Sequence, residues 1–339
     1  MEDKVIGINE KPVETDWERF KKEVDIPIKK SAIKKRFAWW YLAVAFVVVL
    51  GICLGINIYG IYNYNWQGVV SQQVAKVFRL PAGSVNGQKI LLADYWQDLT
   101  LLKTALEQDR EGSGTDLLTE EQFDIEKQIF NRLIMIKLME QELDRYGQKV
   151  NQAELDDKME TLLSQFEDTK SAQQSIQDLY GLNIEQFKNK VLYPLLIQDK
   201  LQELIAKDTS LEINQAAQKE AQDILNIVME NPGDFAAIAS QFTQDESGVY
   251  TGGDLGWINQ GELSPDMEEI VFMLPEKTVY DKIVQNRLGY HIVKVSDKLT
   301  DEETGKQSAK VAHILIRVDL GEYLLDLYDQ AVIKENIEI

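Results

Sequence analysis

His291 and His313 are the only imidazoles in 339 residues, and Cys53 is the only thiol. Proton transfer near neutral pH is therefore confined to two positions, and where they fall decides what the chain can do. Cys53 lies inside an apolar run away from both histidines, and no serine stands in a nucleophile-elbow pattern, so covalent hydrolysis is not expected. His291, His313 and Asp245 could in principle hold zinc, but HExxH and CxxC spacings are absent, so neither a metal centre nor another cofactor is expected. The formal charge of -20 is uneven, about +2 over residues 1–60 and about -22 over 61–339. An acidic body of this kind argues against nucleic acid as a partner.

The elements that must position these groups begin with a membrane segment. Residues Phe37 to Ile58 carry no formal charge and as a helix would reach about 33 Å, against a hydrocarbon core of about 30 Å. Upstream, residues 19–36 hold eight basic groups against Glu23 and Asp25, and downstream no Lys or Arg follows until Lys76. The positive-inside rule then puts the N-terminus in the cytoplasm and the rest of the chain outside the cell membrane, crossed once. The long lead and the lack of a small-x-small exit predict an uncleaved signal anchor over 37–60. Residues 1–36 read as a basic cytoplasmic lead without ordered structure, whose charges also meet anionic headgroups. Cys53 reads as a small apolar residue of the span.

Residues 61–83 read as a linker, with Tyr62, Tyr64 and Trp66 as an interfacial aromatic belt followed by a short amphipathic stretch. Residues 84–207 are largely helical by pattern. An Asn86-Gly87 turn precedes a helix from about Leu92 to Gln108, and Thr119 with Gln122 opens a strong helix ending at Gly147. Asn151 with Glu154, then Asn183 with Gln186, open further helices, with a short one near 172–180 between them and a kink expected at Pro194. From 208 to 339 the pattern changes to an α+β unit, with alternating runs at Val279–Val284, Tyr290–Val295 and Val311–Val318.

Three motifs in order carry a resemblance: FAAIASQFTQDES at 235–247, GGDLGW at 252–257 and GYHIVKV at 289–295. Together they closely resemble the parvulin-type (PpiC) peptidyl-prolyl isomerases, over about residues 215–297. More loosely, Val85-Asn86-Gly87, the Leu133-Ile134 helix and Leu179-Tyr180-Gly181-Leu182 look like the helical chaperone region of SurA/PrsA-like foldases. The resemblance implies a transmembrane helix, an all-α chaperone region and a parvulin-like domain with a four-stranded antiparallel sheet. One departure stands out: the family's first strand, with its His-Ile-Leu motif, is missing before residue 230. VAHILIR stands instead at 311–317. A circular permutation accounts for this, with the C-terminal strand taking the first strand's central place, His291 opposite His313 and Asp297 opposite residue 307. A truncated second repeat is the rival reading.

By resemblance, the floor of an isomerase cup would hold His291, His313 and Asp245, and its apolar wall Leu263, Met267 and Phe272, with Trp257 also on the substrate side. Such a cup needs neither nucleophile nor metal, because rotation about X-Pro breaks no bond and only the amide barrier of roughly 18–20 kcal/mol must fall. Plainer roles stand beside these: the histidines could simply stiffen the sheet by hydrogen bonding, and Asp245 could cap the turn before Gly248. Met267 and Leu263 replace a phenylalanine and a methionine usual in the family, which leaves a holdase without turnover as the alternative to a foldase. Apart from Arg317 there is no basic cluster for phosphopeptides. The implied partners are unfolded or exported polypeptides, together with the lipid bilayer through one helix.

Overall fold

A computed structural model describes residues 30–113, 125–302 and 305–337. The basic lead through residue 29 and the Thr119–Gln122 cap lie outside the described residues. The chain divides into two compact units, residues 1–74 and 75–339.

In the first unit α1 runs from Lys30 to Tyr64. Its stretch Trp39–Tyr64 has a mean hydropathy of 2.5 and none of its most apolar window is buried, so among the described residues it is the one helix long and apolar enough to cross a membrane. Tyr64, expected in a linker, is the last residue of this helix. A short helix, α2 (Val69–Val77), follows and runs across the boundary at 74 into the second unit.

The second unit opens with a hairpin of β1 (Pro81–Val85) and β2 (Gln88–Leu91), joined at Asn86 and Gly87. Both turn residues have positive φ, 50° and 82°, as the Asn-Gly pair predicts for a two-residue hairpin turn. Helices α3 (Leu92–Ser113), α4 (Ile125–Arg145), α5 (Gln152–Leu163), α6 (Thr169–Tyr180) and α7 (Ile184–Phe187) follow. The expected capping boxes at Asn151–Glu154 and Asn183–Gln186 are both closed. The helix foreseen to end at Gln108 continues to Ser113.

Pro194 disturbs its helix one turn upstream. Lacking an N–H, it cannot pair with the Lys190 carbonyl four residues back, and the backbone widens into a π turn over Lys188–Leu192 before α8 (Tyr193–Lys207). The Lys190 oxygen instead accepts from the Arg132 guanidinium at 2.6 Å. Arg132 also pairs with the buried Asp98 at 2.9 Å, and Lys190 Nζ meets the same carboxylate at 2.7 Å. The freed carbonyl beside Pro194 thus helps gather α3, α4 and the π turn around the single buried carboxylate of Asp98.

After α9 (Glu212–Glu230) come α10 (Phe235–Phe242), α11 (Glu246–Thr251), β3 (Asp254–Asn259) and α12 (Pro265–Met273). The short strands β4 (Thr278–Val279) and β5 (Val284–Asn286) precede the long hairpin of β6 (Gly289–Thr300) and β7 (Gln307–Arg317). The antiparallel sheet runs β3-β7-β6-β4, and β5 also pairs with β6. Five strands therefore stand where four were expected. The sheet is still four positions wide, because β4 meets Lys294 and Val295 while β5 meets Gly289 to His291 along the same edge of β6. The run Val279–Val284, read as one strand, is broken in two by Tyr280 to Ile283.

The hairpin register also differs from expectation. His291 faces Leu315, and His313 faces Val293. The strands extend to Thr300 and Gln307 with a bulge between Val295 and Asp297, so the connecting turn is shorter than the nine residues foreseen and the ladder slips by two. A slip of two keeps both histidines on one face. That face, with Val293, Val295, Ala309 and Val311, packs on Met267 and Val271 of α12. The other face, with Tyr290, Ile292, Ile314 and Ile316, packs on Ile224, Val228 and Phe235. Met139, Leu143, Ile197 and Leu201 from the helical region join that same cluster, so no gap in the core marks the expected boundary at 208. The last elements return to the start of the unit. Helix α13 (Leu320–Gln330) packs on α4, and β8 (Ile333–Glu335) pairs with β1 to give a three-stranded sheet β2-β1-β8.

Because β7 fills a central position, Ile314→Ala, at a fully buried site, is expected to lower unfolding stability by about 2–5 kcal/mol. Truncation after Thr300 is expected to abolish cooperative unfolding of the sheet. Denaturant titration followed by tryptophan fluorescence reads both, and equal midpoints for full-length and truncated chains would contradict the central role.

Candidate functional site

His291 projects from β6 and His313 from β7, two positions apart on the ladder, which brings the ring Nδ1 atoms to 3.1 Å. The rings lie nearly parallel, 29° between planes. His313 Nε2 in turn stands 2.9 Å from Asp245 Oδ2. Asp245 sits at the start of α11, where its other oxygen accepts from the Ser247 N–H at 3.2 Å and the Ser247 hydroxyl at 2.9 Å. The cap and the histidine contact, posed as alternatives by the sequence, coexist on one carboxylate.

Backbone contacts hold this row in place. Thr243 Oγ1 accepts from Leu315 N–H at 3.1 Å, and Gln244 N–H donates to the Leu315 carbonyl at 2.8 Å. His313 N–H donates to the Gly253 carbonyl at 2.9 Å. Gly253 has φ +77°, and a Cβ there would stand 2.2 Å from the His313 carbonyl oxygen, so any side chain would push β7 away. The glycine of the GGDLGW motif is what lets the loop press against the second histidine.

A carboxylate only accepts, so His313 presents Nε2–H to Asp245. With both rings neutral, His313 Nδ1 then accepts from His291 Nδ1–H, and His291 Nε2 is left as a lone pair. His291 is only 1% exposed. Burial, then the neighbouring His313, push its pKa down to about 3 despite the opposing pull of Asp245. Burial acts to raise the Asp245 carboxyl, and its hydrogen bonds from His313 and Ser247 outweigh that and hold it below the usual range.

Both histidines line a cavity of about 660 Å³, together with Leu255, Leu263, Met267 and Leu288. Met267 is buried, and Asn286 Nδ2 stands 3.8 Å from its sulfur. Phe272 lies instead in an adjoining hollow of about 540 Å³ that shares Leu263. Trp257, expected on the substrate side, stands 43% exposed on β3 and belongs to neither lining. Its position on an edge strand, beyond the bulge opposite Val311, carries it away from the histidines.

Sequence reasoning missed four contributing residues. Glu203 and Lys207, paired at 2.6 Å, bring α8 to the cavity's rim. Ser264 precedes α12 as its N-cap but makes no capping bond, and its buried Oγ, like His291 Nε2, has no partner. Asn214 is fully buried: its amide donates to the carbonyls of Ile205, Ala206 and Asp208, and its oxygen accepts from the Tyr290 hydroxyl beside His291. Only the polar residue on the inner stripe of α9 could have signalled it.

Comparison with known proteins now gives the class. Residues 196–299 match the PPIC-type PPIASE domain and residues 31–179 the SurA-like N-terminal domain. The chain thus combines a parvulin-type (PpiC) peptidyl-prolyl cis-trans isomerase domain with a SurA-like N-terminal domain. Its relatives include foldase protein PrsA of Oceanobacillus iheyensis, 28% identical over 221 residues, 61% of this chain and 70% of that protein. PrsA of Staphylococcus aureus strain MRSA252 is 27% identical over 217 residues, 57% and 67% of the two chains. Solved structures that align include the SurA-like chaperones PEB4 and Cj1289 of Campylobacter jejuni (17% identity, 75% of this chain and 98% of that one, TM-score 0.32). The peptidylprolyl isomerase PrsA of Bacillus anthracis also aligns (18%, 60% and 86%, TM-score 0.21). The matched isomerase segment stops at 299, so β7 and His313 lie beyond it.

The depressed His291 pKa fixes a pH dependence. Between pH 6.5 and about 3 the unfolded chain binds a proton at this position that the folded chain refuses, so stability falls as pH falls through that window. Asp245, with its lowered pKa, adds a loss in the same direction at the acid end. The unfolding free energy from denaturant titration is expected to drop by about a few kcal/mol from pH 7 to pH 4, and His291→Gln should flatten that slope.

Proposed function

We propose that the chain is a membrane-anchored extracytoplasmic foldase that isomerises X-Pro bonds in exported polypeptides and binds unfolded clients. The observation that carries this reading is the Asp245–His313–His291 row ending in a cavity where Leu255, Leu263, Met267 and Leu288 stand beside charged Glu262, Asp266 and Arg287, and where His291 Nε2 and Ser264 Oγ have no partner. Residues 84–207 serve as the chaperone region and 208–339 as the isomerase unit. Within that unit, β7 acts as the family's first strand supplied from the C-terminal side, a circular permutation. The N-terminal lead is cytoplasmic, and the rest lies outside.

The chemistry needs no covalent step. A planar prolyl amide is strongly dipolar and prefers water, and twisting it removes resonance and dipole together. Leu263 and Met267 strip water from the amide and favour the twisted state. His291, held neutral, adds no charge that would restore solvent. Ser264 Oγ is the hydroxyl within the lining that can donate as the amide twists. Asp245 and His313 fix the His291 ring and act as positioning residues. The rival reading, a holdase without turnover, draws on Met267 and Leu263 standing where the family usually has phenylalanine and methionine.

A protease-coupled proline-peptide assay on the full chain in detergent separates the two. Turnover is expected in the wild type, with kcat/KM about tenfold lower in His313→Ala, or 1.4 kcal/mol in barrier height. Trp257→Ala should stay near wild type. Client protection without turnover would favour the holdase. For topology, a cysteine probe placed beyond Trp66 is expected to react with an impermeant reagent in intact cells, and labelling only after lysis would reverse the orientation.

A further inference from the structure

Helix α2 follows the apolar helix directly, and its two faces are unlike. At about 100° per residue, Ser71 and Ala75 fall on one side and are buried. Asn57 Nδ2 donates to Ser71 Oγ at 3.3 Å, which holds α2 beside the last turns of α1. The turn between them is closed by Trp66, whose N–H donates to the Gly60 carbonyl at 3.2 Å, and whose ring lies so close to Gly60 that a Cβ would meet it at 2.2 Å. The chain therefore doubles back at the end of α1. Asn57 lies seven residues before the end of α1, so α2 starts within about 10 Å of that end, measured along the helix.

The outward side of α2 carries Val69, Val70 and Val77, exposed at 77%, 68% and 70%, within an arc of about 100° that also holds the exposed Gln73. Gln72 and Lys76 border that arc and are exposed as well. Three bare valines beside an apolar span, edged by an amide and by the first basic residue after Arg36, match a helix lying at the acyl-headgroup boundary. Lys76 and the following Arg79 suit anionic headgroups. What covers the exposed side chains of α1 is available to cover these too.

We propose that α2 is a second membrane contact: an interfacial helix that lays Val69, Val70 and Val77 into the outer leaflet. The proposal rests on the reading that α1 spans the bilayer, and it adds that the chain lies along the surface before it leaves it.

The test uses the full chain with Cys53→Ser, bearing one environment-sensitive label at Val47→Cys, Val70→Cys or Gln72→Cys. The chains are placed in phosphatidylcholine–phosphatidylglycerol vesicles with or without acyl-brominated lipid. Brominated lipid is expected to quench the labels at positions 47 and 70 about twofold or more, and that at 72 clearly less, with aqueous iodide showing the reverse order. Quenching at 47 with iodide-sensitive labels at both 70 and 72 would put α2 in water, overturning this inference while leaving the span intact. No bromine quenching at 47 would overturn both readings. A label at 70 shielded from bromine and iodide alike would mean that protein covers the valines, which also overturns the proposal.

Discussion

The backbone ladder between Gly289–Thr300 and Gln307–Arg317 is the constraint on which the rest of the second unit depends. It is the longest pairing in the sheet, and its two faces serve two different neighbours. One face closes the hydrophobic core shared with the helical region. The other sets two imidazoles at hydrogen-bond distance beneath the cavity. A strand alternates its side chains strictly, so the spacing that buries Ile292 and Ile314 toward the helices also turns His291 and His313 toward α12. Packing and site are therefore two readings of one register.

That register explains how much could be read from residues alone. Local signals were legible: the capping boxes at Asn151 and Asn183, the Asn86-Gly87 turn and the apolar span each depend on a few neighbouring residues. That VAHILIR forms a strand was legible too, because its alternating apolar residues fit a sheet. The pairing of His291 with Leu315 was not. It depends on where the turn closes and on a bulge after Val295, which cost little energy and leave little pattern. Nor could the place of Trp257 be foreseen, since an aromatic residue on a strand gives no sign of which edge it will occupy.

Other features escaped because their causes are distant in sequence. Asn214 sits among apolar residues on α9, and only the end of α8 and the Tyr290 hydroxyl explain it. Glu203 and Lys207 look like an ordinary helical ion pair until the cavity is seen beside them. The expected division at residue 208 reflects a real change of pattern, from helix to alternating runs. It did not foresee that Met139 and Leu143 would share a core with Tyr290 and Ile314. Composition changes where elements change, and cores need not.

The pairing of β8 with β1 sets an order of events. Residues 81–85 and 333–335 meet across about 250 positions, so one edge of the first hairpin waits for nearly the whole second unit. During synthesis, that edge emerges early and stays bare while the helices and the larger sheet form behind it. Closing so wide a loop carries an entropic cost and slows the final step. A protein read here as a handler of emerging chains is thus itself, for the length of its own passage, an emerging chain with an open strand edge, closed only by its last described strand.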